Sequence, residues 1–349
     1  MSATCVISEA AFEAGLDRLM AAMPVIGPVE RPGRPGFYRF ARLEQAADLA
    51  RDYTTTTLPP KTVFFPPVET LFTFDREGTP QIEPPPEMSP FVLVGVHPCD
   101  LAALDALDTA YGLPPADALW QEHRRQALVI GMECRPDSYC FCTSMGTAAS
   151  RAGADLFMTP IEDGYLVEIL SAGGRMLMKD TDCRAAERKD REAADAVRHH
   201  KAETVTSRLA VTTEELADIL DLGGLTDIWK ETASRCYSCG SCNTTCPTCF
   251  CFIIDASLTA TLDGGRRQRR WDACQLLDFA RVAGGHNYRR ERWQRVRHRW
   301  HRKFLYLQRR FGRPFCTGCG RCSRACTADI NIVDVTNRLV EHFYREHTP

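Results

Sequence analysis

Two stretches of the sequence place four cysteines at the same three intervals. CYSCGSCNTTCP begins at Cys236 and CTGCGRCSRACT begins at Cys316, so each array has gaps of two, two and three residues. Thiolates at these gaps are typical of proteins that hold two [4Fe-4S] clusters. The short loop wraps three corners of one cube, and the fourth cysteine reaches the other cube. The repeated pattern therefore predicts two iron–sulfur clusters and one-electron chemistry.

The crossing of the fourth cysteine assigns eight ligands to two sites. We predict a first cluster on Cys236, Cys239, Cys242 and Cys326, and a second on Cys316, Cys319, Cys322 and Cys246. Pro247 follows the first array, whereas Thr327 takes the equivalent place after the second. Gly240, Gly318 and Gly320 are expected to let the backbone approach the sulfides. Structural zinc is the alternative, although zinc sites usually take two separated cysteine pairs.

Three further cysteines lie close to the first array in sequence. The stretch CPTCFC adds Cys249 and Cys251, and Cys274 follows later. One interpretation is that these thiols are buried or spare. The other is that they replace array cysteines as ligands or form a further site. The sequence leaves both open.

A third group of thiols is predicted at the edge of a β-sheet. Cys99 follows the apolar run FVLVGV, and Cys134 follows ALVIGM, so each comes just after a predicted buried strand. If these strands are parallel neighbours, both cysteines emerge at the same carboxyl edge, where ligands of open α/β sheets collect. Cys140 and Cys142 lie on the loop that follows. The four could hold another cluster, or they could be ordinary core cysteines.

The elements that carry these cysteines indicate an α+β protein of two domains. The chain has 349 residues and 44% hydrophobic residues, enough for two cores. We predict a mixed α/β domain over residues 1–228 and a two-cluster bacterial ferredoxin-like domain over 229–349, with a helical, Arg-rich insertion at 252–313. No apolar run is long enough to predict a membrane span, and no secretory signal is recognised. A cytoplasmic location is therefore expected.

The insertion contains a strongly basic block. Residues 266–313 carry 16 Lys and Arg against three acids, whereas the whole chain has a net charge of −2. Arginines interleaved with aromatic residues can bind nucleic acid. They can also dock an acidic partner or pack within the chain, which we favour because the block lies between the two arrays. A solvated helix with its aromatics in the core is the simplest interpretation.

Several stretches together resemble a known family. They are LPPKTVFFPPVETLFTFD, LVGVHPCDLAALDALD, ECRPDSYCFCTSMGT and CPTCFC, followed by the second array. The chain resembles, from about residue 35 onward, the iron–sulfur beta subunit of cytoplasmic NAD(P)-linked NiFe hydrogenases, the sulfhydrogenases. An electron-transfer subunit of anaerobic sulfite reductase is a relative. The match at Cys140 and Cys142, with Cys99 upstream, favours a third iron–sulfur cluster on Cys99, Cys134, Cys140 and Cys142.

The resemblance implies a non-catalytic electron-transfer subunit. It would relay electrons from a flavoprotein NAD(P)-reductase subunit to the small and large subunits of a NiFe hydrogenase, or in the reverse direction. One alternative is the electron-transfer subunit of an anaerobic sulfite reductase. A second alternative, which the basic block suggests, is an iron–sulfur protein that binds nucleic acid. We expect neither nucleic acid nor a membrane as a partner.

Overall fold

The computed structural model describes residues 3–76, 81–85, 87–223 and 227–347. The strands are β1 (Ala3–Ile7), β2 (Val25–Arg31), β3 (Arg34–Arg42), β4 (Val68–Asp75), β5 (Gln81–Glu83), β6 (Phe91–Val96), β7 (Ala127–Met132), β8 (Leu156–Ile161), β9 (Gly164–Ile169), β10 (Arg184–Ala185), β11 (Phe252–Leu258) and β12 (Gly264–Trp271). They form an eight-stranded sheet, ordered β10-β1-β9-β8-β7-β6-β2-β3, and a four-stranded sheet, ordered β11-β12-β4-β5.

Helices surround the two sheets and build the C-terminal part. They are α1 (Glu9–Ala22), α2 (Lys61–Phe64), α3 (Pro98–Tyr111), α4 (Ala118–Gln126), α5 (Ala172–Leu177), α6 (Arg188–Thr204), α7 (Thr213–Leu222), α8 (Asp227–Arg235), α9 (Ser241–Thr244), α10 (Arg292–His301), α11 (Leu307–Phe311), α12 (Arg321–Arg324) and α13 (Ile332–His347). The mixed α/β part and the C-terminal cysteine-rich part agree with the predicted fold class.

The centre of the large sheet is parallel, and it positions the third group of thiols. Strands β6 and β7 pair in parallel, with Leu93 opposite Val129, which confirms that the two apolar runs are neighbouring strands. Every residue of β6 is buried, because α3 covers the sheet and the strand has neighbours on both sides. Cys99 and Cys134 follow these two strands and so leave the sheet at one edge.

The basic insertion is only half helical. Its first part, expected to be helical, is the hairpin of β11 and β12, and β12 pairs with β4 from the N-terminal part of the chain. Arginines in β12 suit a strand because Arg269 is buried and bonded to Glu69 and Asp117. The stretch QLLDFAR, also expected to be a helix, contains only a short 3₁₀ turn at Asp278–Ala280.

The second part of the insertion is helical, as predicted. Helix α10 continues through a π-helical turn, Arg302–Tyr306, into α11. Trp300 and Phe304 are buried against Trp229 and helices α7 and α13, so these aromatics form core rather than a surface. Arg295 and Arg299 are also buried. Intramolecular packing therefore accounts for the buried members of the basic block.

Candidate iron–sulfur centres

The two cysteine arrays have the same local backbone shape. Gly240 adopts φ 78° and precedes α9, and Gly320 adopts φ 69° and precedes α12. Helices α9 and α12 are in contact, which brings the two arrays side by side. Positive φ is readily available to glycine alone, so a glycine at this place in each array keeps both loops alike. The arrays are thus an internal repeat whose two copies lie in contact.

The second site is a buried cavity lined by four thiols. Cys246 from the first array lies there with Cys316, Cys319 and Cys322 from the second, which is the grouping that the crossing rule predicts. Burial raises the pKa of the Cys316 thiol and raises that of Cys319 to about 11. These thiols would therefore ionise only beside compensating positive charge, such as iron supplies. Four sulfurs around one enclosed space fit a cubic cluster.

Two buried cations line the same cavity. Lys303 donates a 2.7 Å hydrogen bond to Thr248 Oγ1, and Arg299 Nη1 has no hydrogen-bond partner among the described residues. Burial alone would lower the pKa of Arg299, but the nearby sulfurs of Cys242 and Cys322 raise it instead. No carboxylate of the described chain forms an ion pair with Arg299 or Lys303. Since four thiolates and a cluster carry net negative charge, this cationic wall fits that group.

The first site lies nearer the surface. Burial, with smaller effects of Cys322, Cys274 and Cys236, raises the pKa of Cys242 to about 12. Cys239 is exposed, and a hydrogen bond with Ser241 lowers its pKa. Cys236 and Cys326 are half-buried. Cys326 follows α12 as Cys246 follows α9, so the two fourth cysteines occupy equivalent positions of the repeat.

The three extra cysteines form a layer beside these sites. Asn243 Nδ2 donates to Cys249 Sγ at 3.5 Å and to Cys274 Sγ at 3.2 Å. Cys249 also bonds Cys246, and this hydrogen bond lowers the pKa of Cys246. Both thiols are buried, and Cys251 is half-buried. Within the described ranges, no three Cys, His, Asp or Glu side chains converge as a single bound ion requires. Nothing in these contacts selects the extra thiols over the array cysteines.

The third group of thiols lies just after β6, just after β7 and on the loop that follows β7. Burial raises the pKa of all four thiols, and that of Cys140 reaches about 12. Cys134 lies near enough to Cys142, Cys140 and Cys99 for their charges to affect one another. The buried Lys201 ammonium, which bonds Glu133, is the neighbouring cation. The parallel pairing of β6 and β7 explains why Cys99 and Cys134 lie at one edge. The remaining members, Cys140 and Cys142, arrive on the loop after β7.

The third group is joined directly to the second array. Phe141 donates its backbone N–H to Gly318 O at 2.8 Å, and Thr147 Oγ1 donates to Thr317 O at 2.6 Å. A Cβ on Gly318 would lie 2.6 Å from the backbone of Cys142, so the close approach that requires glycine is between two chain segments. The sequence pattern predicts a glycine here to make room for sulfide. The structure gives it this second reason.

A buried ion pair locks the same junction. Arg321 bonds both carboxylate oxygens of Asp100, at 2.5 and 2.7 Å, and also bonds Thr56. Asp100 follows Cys99 and Arg321 precedes Cys322, so the pair connects residues adjacent to two candidate ligands. The second array therefore contacts both other groups, through α9 and Cys246 on one side and through the loop of Phe141 on the other.

No sequence motif singles out the buried charges at these sites. Lysine and arginine in a basic helix normally face water, so Arg299 and Lys303 read as part of a solvated or docking face. Arg321 could have been noticed only by its place inside the second array. Its partner Asp100 lies 221 residues away in the chain.

The comparison with known families defines the class of protein first. Residues 235–330 match the family described as a 4Fe-4S dicluster domain, so this is a protein with two [4Fe-4S] clusters. That match decides between the iron–sulfur and zinc interpretations of the arrays.

A match over nearly the whole chain identifies the particular family. It is 33% identical over 330 residues to sulfhydrogenase 2 subunit beta of Pyrococcus furiosus, covering 95% of this chain and 96% of that relative. The chain belongs to the sulfhydrogenase beta subunit family, as the sequence motifs predicted, and it is an iron–sulfur electron-transfer subunit. No solved structure matches it. None of the helices in the described ranges is long and apolar enough to cross a membrane.

Proposed function

We propose that this chain relays electrons through three iron–sulfur sites arranged in a row. The observation that carries the proposal is that the second array contacts both the first array and the loop of the sheet-edge group. Under this proposal the first cluster is bound by Cys236, Cys239, Cys242 and Cys326, the second by Cys316, Cys319, Cys322 and Cys246, and the third by Cys99, Cys134, Cys140 and Cys142.

The clusters and the surrounding protein would contribute differently to electron transfer. Each cluster, when bound, supplies a centre that gains or loses one electron at a time. The protein contributes thiolates held at fixed positions, exclusion of water at the second site, and the cations Arg299 and Lys303. Buried positive charge stabilises the form with the extra electron, because that form is more negative. The predicted domains, 1–228 and 229–349, would then hold the third cluster and the other two.

The partners are proposed from the relative. Its printed name, a sulfhydrogenase subunit, supports a hydrogenase complex as the setting. At one end of the relay we propose a flavoprotein NAD(P)-reductase subunit, and at the other the hydrogenase small and large subunits. The same name favours this over a sulfite reductase complex. A cytoplasmic location remains a prediction from the sequence.

The relay is tested by anaerobic purification of the tagged chain from its native cells. We expect flavoprotein and hydrogenase subunits to co-purify, and reduction by NADH or NADPH to bleach the visible absorbance of the beta subunit within the complex. The chain purified alone should accept electrons from dithionite but evolve no hydrogen. Co-purification with a sirohaem protein instead would establish the sulfite reductase alternative.

The third site is tested by replacing Cys99 with serine. Loss of one ligand should remove a whole cluster, so iron should fall by about four atoms per chain, from about twelve to about eight. Iron and acid-labile sulfide are measured on anaerobic protein. Cys5→Ser is the matched control, because Cys5 is a cysteine of the N-terminal part that lies outside the group.

Unchanged iron in Cys99→Ser, with the control also unchanged, would rule out Cys99 as a ligand. Retention of the reduced-state paramagnetic signals of the other two clusters shows that the variant is folded.

The nucleic-acid alternative is less well supported. Arg295, Arg299 and Lys303 are buried in the middle of the block, so these three cations cannot meet phosphate.

A further inference from the structure

We propose that the surface around Cys239 docks an acidic one-electron carrier protein. This surface, the Cys239 face, consists of Cys239, Tyr237, Leu276, Leu277, Tyr288, Arg290 and Arg292. The inference rests on the proposed function, since it takes Cys239 as a ligand of the first cluster, and it adds where electrons enter or leave the chain and what kind of protein exchanges them.

The exposure of Cys239 favours this face as the point where electrons enter or leave the chain. Cys239 is exposed, whereas the other seven array cysteines are half-buried or buried. Electron transfer between proteins falls steeply with distance, so the most exposed ligand offers the shortest route to a partner. The second site is a cavity within the protein, lined by Cys246 and three cysteines of the second array.

Exposed apolar side chains lie on the cysteine loop and on the two segments joined to it. Tyr237 is 69% exposed, Leu277 50% and Tyr288 67%, and Leu276 is also exposed. Single exposed apolar residues are ordinary, but these four lie on segments that Arg295 and Leu276 connect to the cysteine loop. Aromatic and aliphatic side chains beside a functional centre are typical of the buried middle of a protein interface.

A buried arginine holds the face in one arrangement. Arg295 Nε donates to Gln275 O at 3.0 Å, and its Nη1 donates to the carbonyls of Arg289 and Arg290 at 3.0 and 2.6 Å. Its Nη2 reaches Ser238 Oγ at 3.2 Å, in the loop that carries Cys239. Leu276 lies against Gly240, near enough for contact with an added Cβ. The cysteine loop, residues 275–277 and residues 288–292 therefore form one rigid surface, which lowers the entropic cost of docking.

Charge selects an acidic partner. Arg290 and Arg292 are exposed and form no ion pair with any described residue. Their nearest acid in the chain, Glu291, takes part in the capping box of α10 with Gln294, and Asp278 pairs with Arg281. Unpaired surface cations next to an exposed redox site attract a partner with carboxylates around its own cofactor, mainly by raising the rate of encounter.

The test uses two probe proteins of opposite charge and the full chain with its clusters. Reduced plant-type [2Fe-2S] ferredoxin, which is acidic, donates electrons to the oxidised chain. Ferricytochrome c, which is basic, accepts them from the reduced chain. For the unchanged chain, the second-order rate with ferredoxin should fall as ionic strength rises.

The variant Arg290→Glu/Arg292→Glu reverses both charges. It should lower the rate of electron transfer from ferredoxin by about tenfold or more at low ionic strength, and it should raise the rate of electron transfer to cytochrome c. Tyr237→Ser should slow both probes without changing the salt dependence. The matched control is Arg34→Glu/Arg39→Glu, which makes the same change of net charge at exposed positions of β3. It should alter either rate by less than about twofold.

Equal rates in the charge-reversed variant and the unchanged chain, with visible absorbance intact in both, would overturn the proposal. So would salt-dependent binding of DNA or RNA that is lost in the variant while both protein rates stay constant. Failure of the unchanged chain to exchange electrons with either probe would instead contradict the relay itself.

Discussion

Replacing Gly318 with alanine should destabilise the protein by about 3 kcal/mol or more and release iron from the second and third sites. Gly318 has φ +67°, and an added Cβ would lie 2.6 Å from backbone atoms of Phe141 and Cys142. Neither backbone can move without displacing candidate ligands on both sides of the junction. The measurements are the apparent midpoint of anaerobic thermal unfolding and iron per chain.

Gly312→Ala is the matched control for this prediction. Gly312 has φ +69°, but nothing lies within 4 Å of its added Cβ. Its replacement should cost only the backbone strain, about 1 kcal/mol, and leave iron unchanged. Equal effects of the two substitutions would show that the contact between the cysteine loops contributes nothing beyond the conformation of a single residue.

Replacing Arg299 with glutamine should shift the reduction potential of the second cluster to a more negative value, by roughly 100 mV. The reduced cluster carries one more negative charge than the oxidised cluster. The buried guanidinium therefore stabilises the reduced form more, and its removal disfavours reduction. The potential is measured by anaerobic titration followed by electron paramagnetic resonance, which does not depend on any partner or turnover.

Two variants control this result. Arg310→Gln removes the same charge from an exposed position on α11, where solvent screens it, so the potential should change little. Arg299→Lys keeps the charge and should retain most of the potential. A potential that is unchanged in Arg299→Gln, with iron content intact, would mean that Arg299 does not act on the cluster.

The C-terminal site could be predicted well because its information is local. Gaps of two and three residues determine how a loop can surround a cube, whatever the rest of the chain does. The glycine in each array marks the positive φ that both loops adopt. The crossing of Cys246 to the second array follows from the same repeat, and the cavity that contains it agrees with that inference.

The sheet-edge group could be predicted only in outline. Continuous apolar runs indicate buried strands, and strands followed by helices favour parallel pairing, which is why Cys99 and Cys134 could be expected at one edge. The hairpin of β11 and β12 could not be predicted, because charged residues such as Arg269 in a strand are stable only when a distant partner such as Glu69 neutralises them.

The local sequence determines the candidate ligands and the buried strands of this protein, because closely spaced thiols and apolar runs depend only on residues that are neighbours in the chain. How the sites relate to one another depends instead on the folded chain. Arg321 meets Asp100, Arg299 enters the second cavity, and the Cys239 face is exposed because of contacts between residues far apart in sequence. Such contacts depend on which surfaces are buried together, and no local pattern of residues encodes that.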